Sequence, residues 1–290
     1  MADWLTIASD RLTARINPLG AELSSLTGAD GAELMTDADP AYWTGRAPIL
    51  FPIVGRLAGD TLRVDGRAYP MKQHGFARRL MWDTVEAAPD RASFALADDA
   101  KTRACYPFAF RLDLSFRIVA ATLHVEATLA NPGEVALPAS LGFHPAFAWP
   151  LPFGEPRDAH RIVFDADEPE PIRRLAPDGT LRPEPVATPL DARTLALADA
   201  LFDHDALIWE QVRAPGVTYG TPTGPQLRVA CPDMPSLGIW SKPGARFVCI
   251  EPWHGHADPQ GYAGEFRDKP GVFLVPPGGS KRIGFAITLS

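Results

Sequence analysis

A glutamate at the end of an apolar stretch is the residue of this sequence best suited to chemistry. Phe247–Ile250 is entirely apolar, Glu251 follows it, and Pro252 comes next. Proline restricts the residue before it to extended backbone, which predicts that the glutamate continues a strand. A carboxylate in such surroundings is costly unless it is paired or used. Glu251 is therefore a candidate general base, and a buried salt bridge to an arginine is the alternative.

A histidine stands in a similar setting earlier in the chain. His144 lies between Phe143 and Phe147 and is followed directly by Pro145, so its backbone is also predicted to be extended. An apolar surround lowers the pKa of an imidazole, whereas a neighbouring carboxylate raises it. His144 is therefore a candidate general acid.

Together, a carboxylate and an imidazole can transfer protons near neutral pH. Opening an aldose ring needs a base to take the proton of the anomeric hydroxyl and an acid to protonate the ring oxygen. Each positioned proton transfer contributes roughly 10²–10⁴-fold in rate. The sequence has no glycine-rich dinucleotide or phosphate loop and no zinc-finger pattern of cysteines and histidines. We therefore expect no cofactor.

Two histidines close to the glutamate raise a metal-binding alternative. Glu251, His254 and His256 lie within six residues of sequence. Their spacing differs from the helical H-E-x-x-H pattern of zinc enzymes, and proline and glycine interrupt the segment. We expect no metal here and interpret the two histidines as exposed loop residues.

Two further segments end in polar residues. An apolar run over residues 48–54 is followed by Gly55 and Arg56, which alone is typical of a buried strand that ends at a surface arginine. His74 lies between Gln73 and Gly75, and a lone histidine of this kind is more often structural than functional. Neither segment indicates a function by itself, and each becomes informative only in combination with the other motifs of the sequence.

The pattern around these candidates predicts an all-β chain. The sequence has 30 prolines and 24 glycines spread along its length, which favours many short strands. Apolar residues alternate in Phe110–Ile118 and again in Leu123–Leu129, which predicts an antiparallel hairpin. Asp65 and Gly66 predict a two-residue hairpin turn, and residues 282–289 predict a last strand.

Two regions differ from this pattern. Asp199–Leu207 is the best helix candidate, and it is short. Leu151–Thr194 is rich in proline and charged residues, which predicts long loops and edge strands. We expect residues 1–290 to form a single large antiparallel β-sandwich domain whose connecting segments carry the function.

Composition narrows the possible partners and location. The chain has 290 residues, 46% of them hydrophobic, and a formal net charge of −7 with scattered lysines and arginines. Such a surface does not suit nucleic acid or an anionic membrane, so a small polar molecule is the expected partner. Three cysteines without C-x-x-C spacing are expected to be buried thiols in a reducing compartment. No signal peptide or membrane span is recognised, and a cytoplasmic protein is expected.

Taken in order, six segments of this sequence resemble the aldose 1-epimerase (galactose mutarotase-like) family, and within it the branch typified by the lactose-operon X protein. The matching segments are residues 49–56 (ILFPIVGR), 73–78 (QHGFAR), 142–147 (GFHPAF), 205–208 (DALI), 237–241 (LGIWS) and 249–253 (CIEPW). The resemblance extends from near residue 20 to the C-terminus, and six motifs in the expected order are far more specific than any one of them.

The resemblance implies a large antiparallel β-supersandwich of the galactose mutarotase type and a reaction without metal or cofactor. It implies that Glu251 is the general base, that His144 is the general acid, and that His74 hydrogen-bonds a sugar near its ring oxygen. Arg56 corresponds to an arginine that orients the sugar hydroxyls.

The acidic sugar-binding residue is less certain. The resemblance implies Asp205, but Asp203 would point the same way on an extended chain, so either could have this role. Trp240 could stack on the apolar face of a pyranose, although large aromatic residues are more often part of a core.

Several alternatives remain open from sequence. A related branch acts on hexose 6-phosphates, and Lys72, Arg78 and Arg79 could meet a phosphate. A non-catalytic sugar-binding protein on the same fold is a second alternative. A glycoside-cleaving enzyme that uses two carboxylates, Glu251 and Asp205, is a third. Neither the sugar nor the choice between monomer and homodimer follows from the sequence.

Overall fold

The computed structural model describes residues 4–290, which are mostly strands joined by loops. The first three residues, part of the N-terminal stretch considered above for a signal peptide, lie outside this range. The strands, numbered in chain order, are β1 Leu5–Ala8, β2 Leu12–Asn17, β3 Glu22–Gly28, β4 Ile49–Leu50, β5 Thr61–Val64, β6 Arg67–Pro70, β7 Asp83–Ala87, β8 Arg91–Ala97, β9 Arg111–Val119, β10 Thr122–Ala130, β11 Leu137–Ala139, β12 Leu141–Phe143, β13 Ala146–Ala148, β14 Arg161–Phe164, β15 Thr194–Ala196, β16 Leu207–Trp209, β17 Gly216–Gly220, β18 Gln226–Ala230, β19 Ser236–Trp240, β20 Phe247–His254, β21 Phe273–Val275 and β22 Ser280–Leu289. The helical segments are α1 Ala100–Arg103 and the 3₁₀ turns Ala58–Asp60, Ala77–Arg79, Arg157–Ala159, Asp199–Phe202 and Phe266–Asp268.

The larger of the two main sheets has nine strands within the described range, in the order β15-β14-β17-β18-β22-β10-β9-β8-β7. All of its strand pairs are antiparallel. The β9–β10 pair confirms the predicted hairpin, because Leu112, Leu114 and Phe116 are buried while their neighbours along the strand are not. The predicted last strand is confirmed as β22, which lies between β18 and β10.

The second main sheet packs face to face on the first. It has the order β16-β19-β20-β12-β4, and β13 also pairs with β20. Phe143 on β12 contacts Phe285 on β22 with ring centroids 4.7 Å apart, and Phe164 on β14 contacts Trp209 on β16 at 5.2 Å. Burying each such side chain contributes about 1.5–3 kcal/mol. The predicted all-β antiparallel sandwich is therefore confirmed.

The second sheet is buried on both faces. On β20, Val248 and Ile250 belong to the core between the two sheets. Cys249 and Trp253 belong to separate clusters on the opposite face. Because side chains alternate along a strand, Glu251 shares this outer face with them. This double burial explains why β20 is apolar almost throughout rather than alternating.

Two glycines make room for a tryptophan on that outer face. Gly142 lies directly opposite Trp253 across the β12–β20 pair, and Gly238 lies opposite Glu251 across the β19–β20 pair. A methyl group at Gly142 would come within 2.6 Å of the Trp253 ring, and one at Gly238 within 2.4 Å. The indole therefore lies across both glycines and forms part of the floor of the outer face.

Smaller features test the remaining sequence predictions. Asp65 and Gly66 join β5 to β6, and both have positive φ, as a tight hairpin turn requires. The predicted helix over Asp199–Leu207 is wrong, because only Asp199–Phe202 forms a 3₁₀ turn. Leu207 already begins β16, which pairs with β19, so tertiary pairing overrides the weak helix propensity of this segment.

The region over residues 151–194 contains long loops, as predicted, together with a 3₁₀ turn and β14; β14 is not an edge strand, because β15, which begins at Thr194, lies outside it. Its loops reach the outer face of the second sheet, where Leu175 and Leu181 pack with Trp253. The three cysteines are free; Cys231 and Cys249 are buried, whereas Cys105 is only half-buried. Among the described residues, no helix is long and apolar enough to cross a membrane.

Candidate active site

A cleft of about 350 Å³ opens on the outer face of the second sheet. Its floor comes from β19 and β20, and its walls come from the segments before β4, after β6, after β12 and before β16. The lining residues include Trp43, His74, Arg78, His144, Asp205, Trp240, Lys242, Glu251 and Trp253. Five of the six residues predicted to form the site are therefore brought together, and Arg56 is the exception.

Glu251 and His144 form a close buried pair in this cleft. Nε2 of His144 lies 3.1 Å from Oε2 of Glu251, and the two residues are 7% and 1% exposed. Oε2 of Glu251 and Nδ1 of His144 have no well-aligned hydrogen-bond partner in the described part of the chain. The alternative of a buried salt bridge from Glu251 to an arginine is wrong, because the side chain within reach of its carboxyl group is that of His144.

Burial shifts both pKa values of the pair. It raises the pKa of Glu251 well above its usual range, and the negative charge of Asp205 raises it further. Burial lowers the pKa of His144 to about 3, and the positive charge of Arg78 contributes to this shift. Each group thus favours its neutral form, which is the pattern expected of an acid–base pair in an apolar site.

Two tryptophans hold the His144 ring. Trp43 stacks on it with ring centroids 4.8 Å apart and planes at 28°, and Trp240 meets it edge-on at 5.8 Å. The indole face of Trp43 also offers a cation–π contact to a protonated imidazole. Trp43 was not predicted from the sequence, because it lies in an irregular loop with no motif around it.

His74 is fixed by its neighbour across the loop. Its Nδ1 accepts a hydrogen bond from the backbone N–H of Gly55 at 3.1 Å, so Nε2 carries the proton of the neutral ring. Burial lowers the pKa of His74 well below its usual value. His74 has φ of 63° and Gly75 has φ of 68°. A methyl group on Gly75 would come within 2.1 Å of the carbonyl oxygen of Phe51.

The structure distinguishes the two aspartates. Both aspartates are exposed, but Asp205 lines the cleft and Asp203 does not. Asp203 ends a 3₁₀ turn and Asp205 has φ of 65°, so the chain here is not extended and the two side chains do not point the same way. Arg174 donates hydrogen bonds to the carbonyl oxygens of Leu201 and Asp205, which fixes this turn.

Comparison with known proteins identifies the family. The family model described as "Aldose 1-epimerase" matches residues 3–269. The chain belongs to the aldose 1-epimerase family. It is 30% identical over 295 residues to Protein LacX of Lactococcus lactis subsp. lactis, with 98% of this chain and 99% of that protein covered.

Solved structures support the same family assignment. A galactose mutarotase related enzyme from Lactobacillus acidophilus is 32% identical, has a TM-score of 0.92, and aligns over 99% of this chain and 97% of its own. A galactose mutarotase-like protein from Lactobacillus casei is 28% identical with a TM-score of 0.91, over 99% and 100% of the two chains. The β-supersandwich expected of an aldose 1-epimerase is thereby confirmed, as is the resemblance seen in the six motifs.

Arg56 is placed differently from what the family resemblance implies. Its guanidinium forms two hydrogen bonds with the carboxylate of Asp60, and it does not line the cleft. Arg78 does line it. Nε of Arg78 is buried without a hydrogen-bond partner, and Nη2 donates a hydrogen bond to the carbonyl oxygen of Gln73. Because a guanidinium has five N–H donors, others remain available for a ligand. Burial lowers the pKa of Arg78 to about 10.

The histidines after Glu251 do not join it. The prediction that both are exposed loop residues is wrong, because His254 lies on β20 beside Phe273 and His256 is 4% exposed. Nδ1 of His256 lies 2.9 Å from the carbonyl oxygen of Ala257, and the ammonium of the buried Lys269 donates to the carbonyl oxygen of His256. These contacts hold the loop that follows β20 and explain why His256 is buried, whereas His254 is half-buried.

Proposed function

We propose that this aldose 1-epimerase family member interconverts the α and β anomers of an aldose, with His144 as general acid and Glu251 as general base. The observation that carries the proposal is the 3.1 Å separation between Nε2 of His144 and Oε2 of Glu251 at the floor of a cleft. The anomeric hydroxyl and the ring oxygen are both bonded to C1, so the two groups that exchange protons with them must lie side by side.

The reaction follows from this arrangement. The carboxylate of Glu251 takes the proton of the anomeric hydroxyl while the imidazolium of His144 protonates the ring oxygen, and the bond between C1 and the ring oxygen breaks. Rotation about the C1–C2 bond presents the other face of the aldehyde. Ring closure then reverses both transfers and gives the other anomer, and both residues return to their starting states.

Proton counting supports the same assignment. The pair holds one transferable proton throughout the cycle, on His144 when the ring is closed and on Glu251 when it is open. Burial favours the neutral form of each residue, which corresponds to the open-chain state. In the ring-closed state the imidazolium has the indole face of Trp43 against it.

The remaining cleft residues suit a sugar. The Nε2–H group of His74 can donate a hydrogen bond near the ring oxygen of the sugar. The charged groups of Arg78 and Asp205 suit vicinal hydroxyls, and Trp240 presents a half-buried ring to an apolar sugar face. Hydrogen bonds to charged groups typically contribute about 1.5–3 kcal/mol each. Such contacts would orient C1 over the acid–base pair.

Polarimetry tests the proposal directly. Freshly dissolved α-glucose, α-galactose and other free aldoses should reach anomeric equilibrium faster with the protein than in matched buffer for at least one sugar. Sugar binding by calorimetry without acceleration of any sugar would favour a non-catalytic binding protein instead. Release of the aglycone from aryl glycosides would favour the two-carboxylate hydrolase.

A sugar with an anionic group is a second candidate substrate. Two cations, Arg78 and Lys242, line the cleft, and Arg78 has N–H groups without partners. Lys72 and Arg79, also considered for a phosphate, are exposed and do not line it. Adding glucose 6-phosphate to the polarimetric panel decides between the two classes, since a phosphate site would give it a much lower KM than glucose.

Arg78, rather than Arg56, is expected to bind the substrate. Arg78→Gln should raise KM roughly 10- to 100-fold, because hydrogen bonds from a charged donor contribute about 1.5–3 kcal/mol. Arg56→Gln should change KM less than about twofold, because its guanidinium is engaged by Asp60 outside the cleft. Initial rates over a range of sugar concentrations measure both, and equal effects would contradict the assignment.

Substitutions of the two aspartates provide a test variant and its matched control. Asp205→Asn should raise KM and move the alkaline limb of the pH profile of kcat/KM to lower pH. The charge of Asp205 raises the pKa of Glu251, so its removal lets the pair lose its transferable proton at lower pH. Asp203→Asn should change neither quantity. An unmoved alkaline limb in Asp205→Asn would show that this charge does not reach Glu251.

A further inference from the structure

A third donor atom lies beside the acid–base pair and has no part in the reaction. Cys249 precedes Glu251 by two residues on β20, so both side chains are on the outer face. Sγ of Cys249, a ring nitrogen of His144 and a carboxylate oxygen of Glu251 lie within 4.8 Å of one another, and all three residues are buried. Within residues 4–290, this is the cluster whose spacing could hold a metal ion.

The donor set suits borderline-soft divalent cations. Zinc binds sulfur, imidazole nitrogen and carboxylate oxygen at about 2.0–2.3 Å, which in a tetrahedron puts ligand atoms about 3.3–3.8 Å apart. The nitrogen and oxygen of the pair are 3.1 Å apart. The sulfur, which lies within 4.8 Å of the other two atoms, therefore needs to approach by at most about 1.0–1.5 Å for the three atoms to occupy three corners of a tetrahedron.

An unpartnered ligand atom and an open side support this geometry. Glu251 is 1% exposed, yet its Oε2 has no well-aligned hydrogen-bond partner in the described residues. The cleft of about 350 Å³ adjoins the same two side chains, His144 and Glu251. Three protein ligands with a fourth position open to solvent are the arrangement of zinc sites that exchange a ligand.

We propose that His144, Cys249 and Glu251 bind a thiophilic divalent cation such as Zn²⁺, and that the bound cation inhibits the enzyme. On binding, metal–ligand bonds replace the S–H bond of Cys249 and displace the one proton that the His144–Glu251 pair holds, and both protons leave to the solvent buffer with no change of oxidation state. The cation occupies lone pairs of the imidazole and the carboxylate, so neither group can transfer a proton. The inhibition rests on the proposed function, whereas the binding does not.

Cobalt provides the direct test of binding. Titration of the full-length protein with Co²⁺ should give a sulfur-to-cobalt charge-transfer band that saturates at one equivalent. Cys249→Ala should abolish the band, while Cys105→Ala and Cys231→Ala should keep it. A wild-type protein without the band, or a band that survives in Cys249→Ala, would overturn the site.

A variant of a second metal ligand shows whether the loss of binding in Cys249→Ala comes from the lost ligand or from misfolding. His144→Asn leaves the sulfur in place but should weaken Co²⁺ binding at least about tenfold, since even loss of groups that only support a ligand costs 10–100-fold. Circular dichroism confirms that each variant is folded. Unchanged affinity in His144→Asn would show that the cation uses other ligands.

Inhibition is measured on the sugar that the polarimetric panel identifies. Zn²⁺ should inhibit wild type reversibly, and a chelator should restore the rate. Cys249→Ala should keep its activity and need at least about tenfold more Zn²⁺ for the same inhibition. Mg²⁺, which prefers oxygen ligands, should have no effect at equal concentration.

The two proposals fail in different ways. A saturating cobalt band with no mutarotation of any sugar would retain the metal site and reject the proposed function. Mutarotation that Zn²⁺ leaves unchanged despite a saturating band would reject the inhibition.

Discussion

Replacing Glu251 with glutamine should lower kcat/KM for mutarotation by about 10²–10⁴-fold. The amide keeps the shape of the side chain but cannot take the proton of the anomeric hydroxyl. His144→Asn should have an effect of similar size, because the ring oxygen then has no acid. Polarimetry measures both, after subtraction of the spontaneous rate in buffer.

The double variant and a pair of distant controls sharpen this result. Glu251→Gln combined with His144→Asn should be hardly slower than either single variant, because two groups that act as a unit are not additive. Glu126→Gln and His124→Asn, on β10 in the other sheet, should retain the wild-type rate. A Glu251→Gln protein with full activity would exclude this residue as the base.

Gly238→Ala should damage both stability and activity. Its methyl group would come within 2.4 Å of one end of the Trp253 indole, whose other end already lies against Gly142. Overpacking of this kind costs about 1–3 kcal/mol, since the ring or the strand must move. Because Gly238 lies opposite Glu251, the shift should also displace the carboxylate and slow mutarotation.

A compensating change tests the cause. In the double variant Gly238→Ala with Trp253→Leu, the smaller side chain leaves room for the methyl group. Its loss of stability should be smaller than the sum of the two single losses by about 0.5–3 kcal/mol. Urea unfolding followed by fluorescence or circular dichroism gives the three values. Additive losses would mean that the clash with the ring does not cause the damage.

The strands and the buried settings of His144 and Glu251 could be predicted because their signals are local. A proline after His144 and another after Glu251 fixes the backbone, and the alternation in β9 and β10 fixes which side chains face the core. These features depend on neighbouring residues alone.

Other features depend on contacts distant in sequence. Trp43 comes close to His144 because β4, which follows Trp43, pairs with β12, which precedes His144, and nothing around residue 43 indicates this. Arg56 and Asp60 are only four residues apart, but which arginine reaches the cleft depends on the folded loops, and it is Arg78 that lines it. The segment around Asp205 has only a weak preference for helix, so its own residues do not determine its structure. The pairing of β16 with β19 determines it instead.

Some cleft residues lie on a strand and others on loops, and this difference affects how members of the family can diverge. Glu251 lies inside β20, which has strands on both sides, so a change there disturbs a whole sheet. Asp205, Arg78 and Lys242 lie on connecting segments whose length and sequence can vary at little cost to the core. Under the proposed function, substitutions in the loops can therefore change which sugar is bound while His144 and Glu251 stay in place.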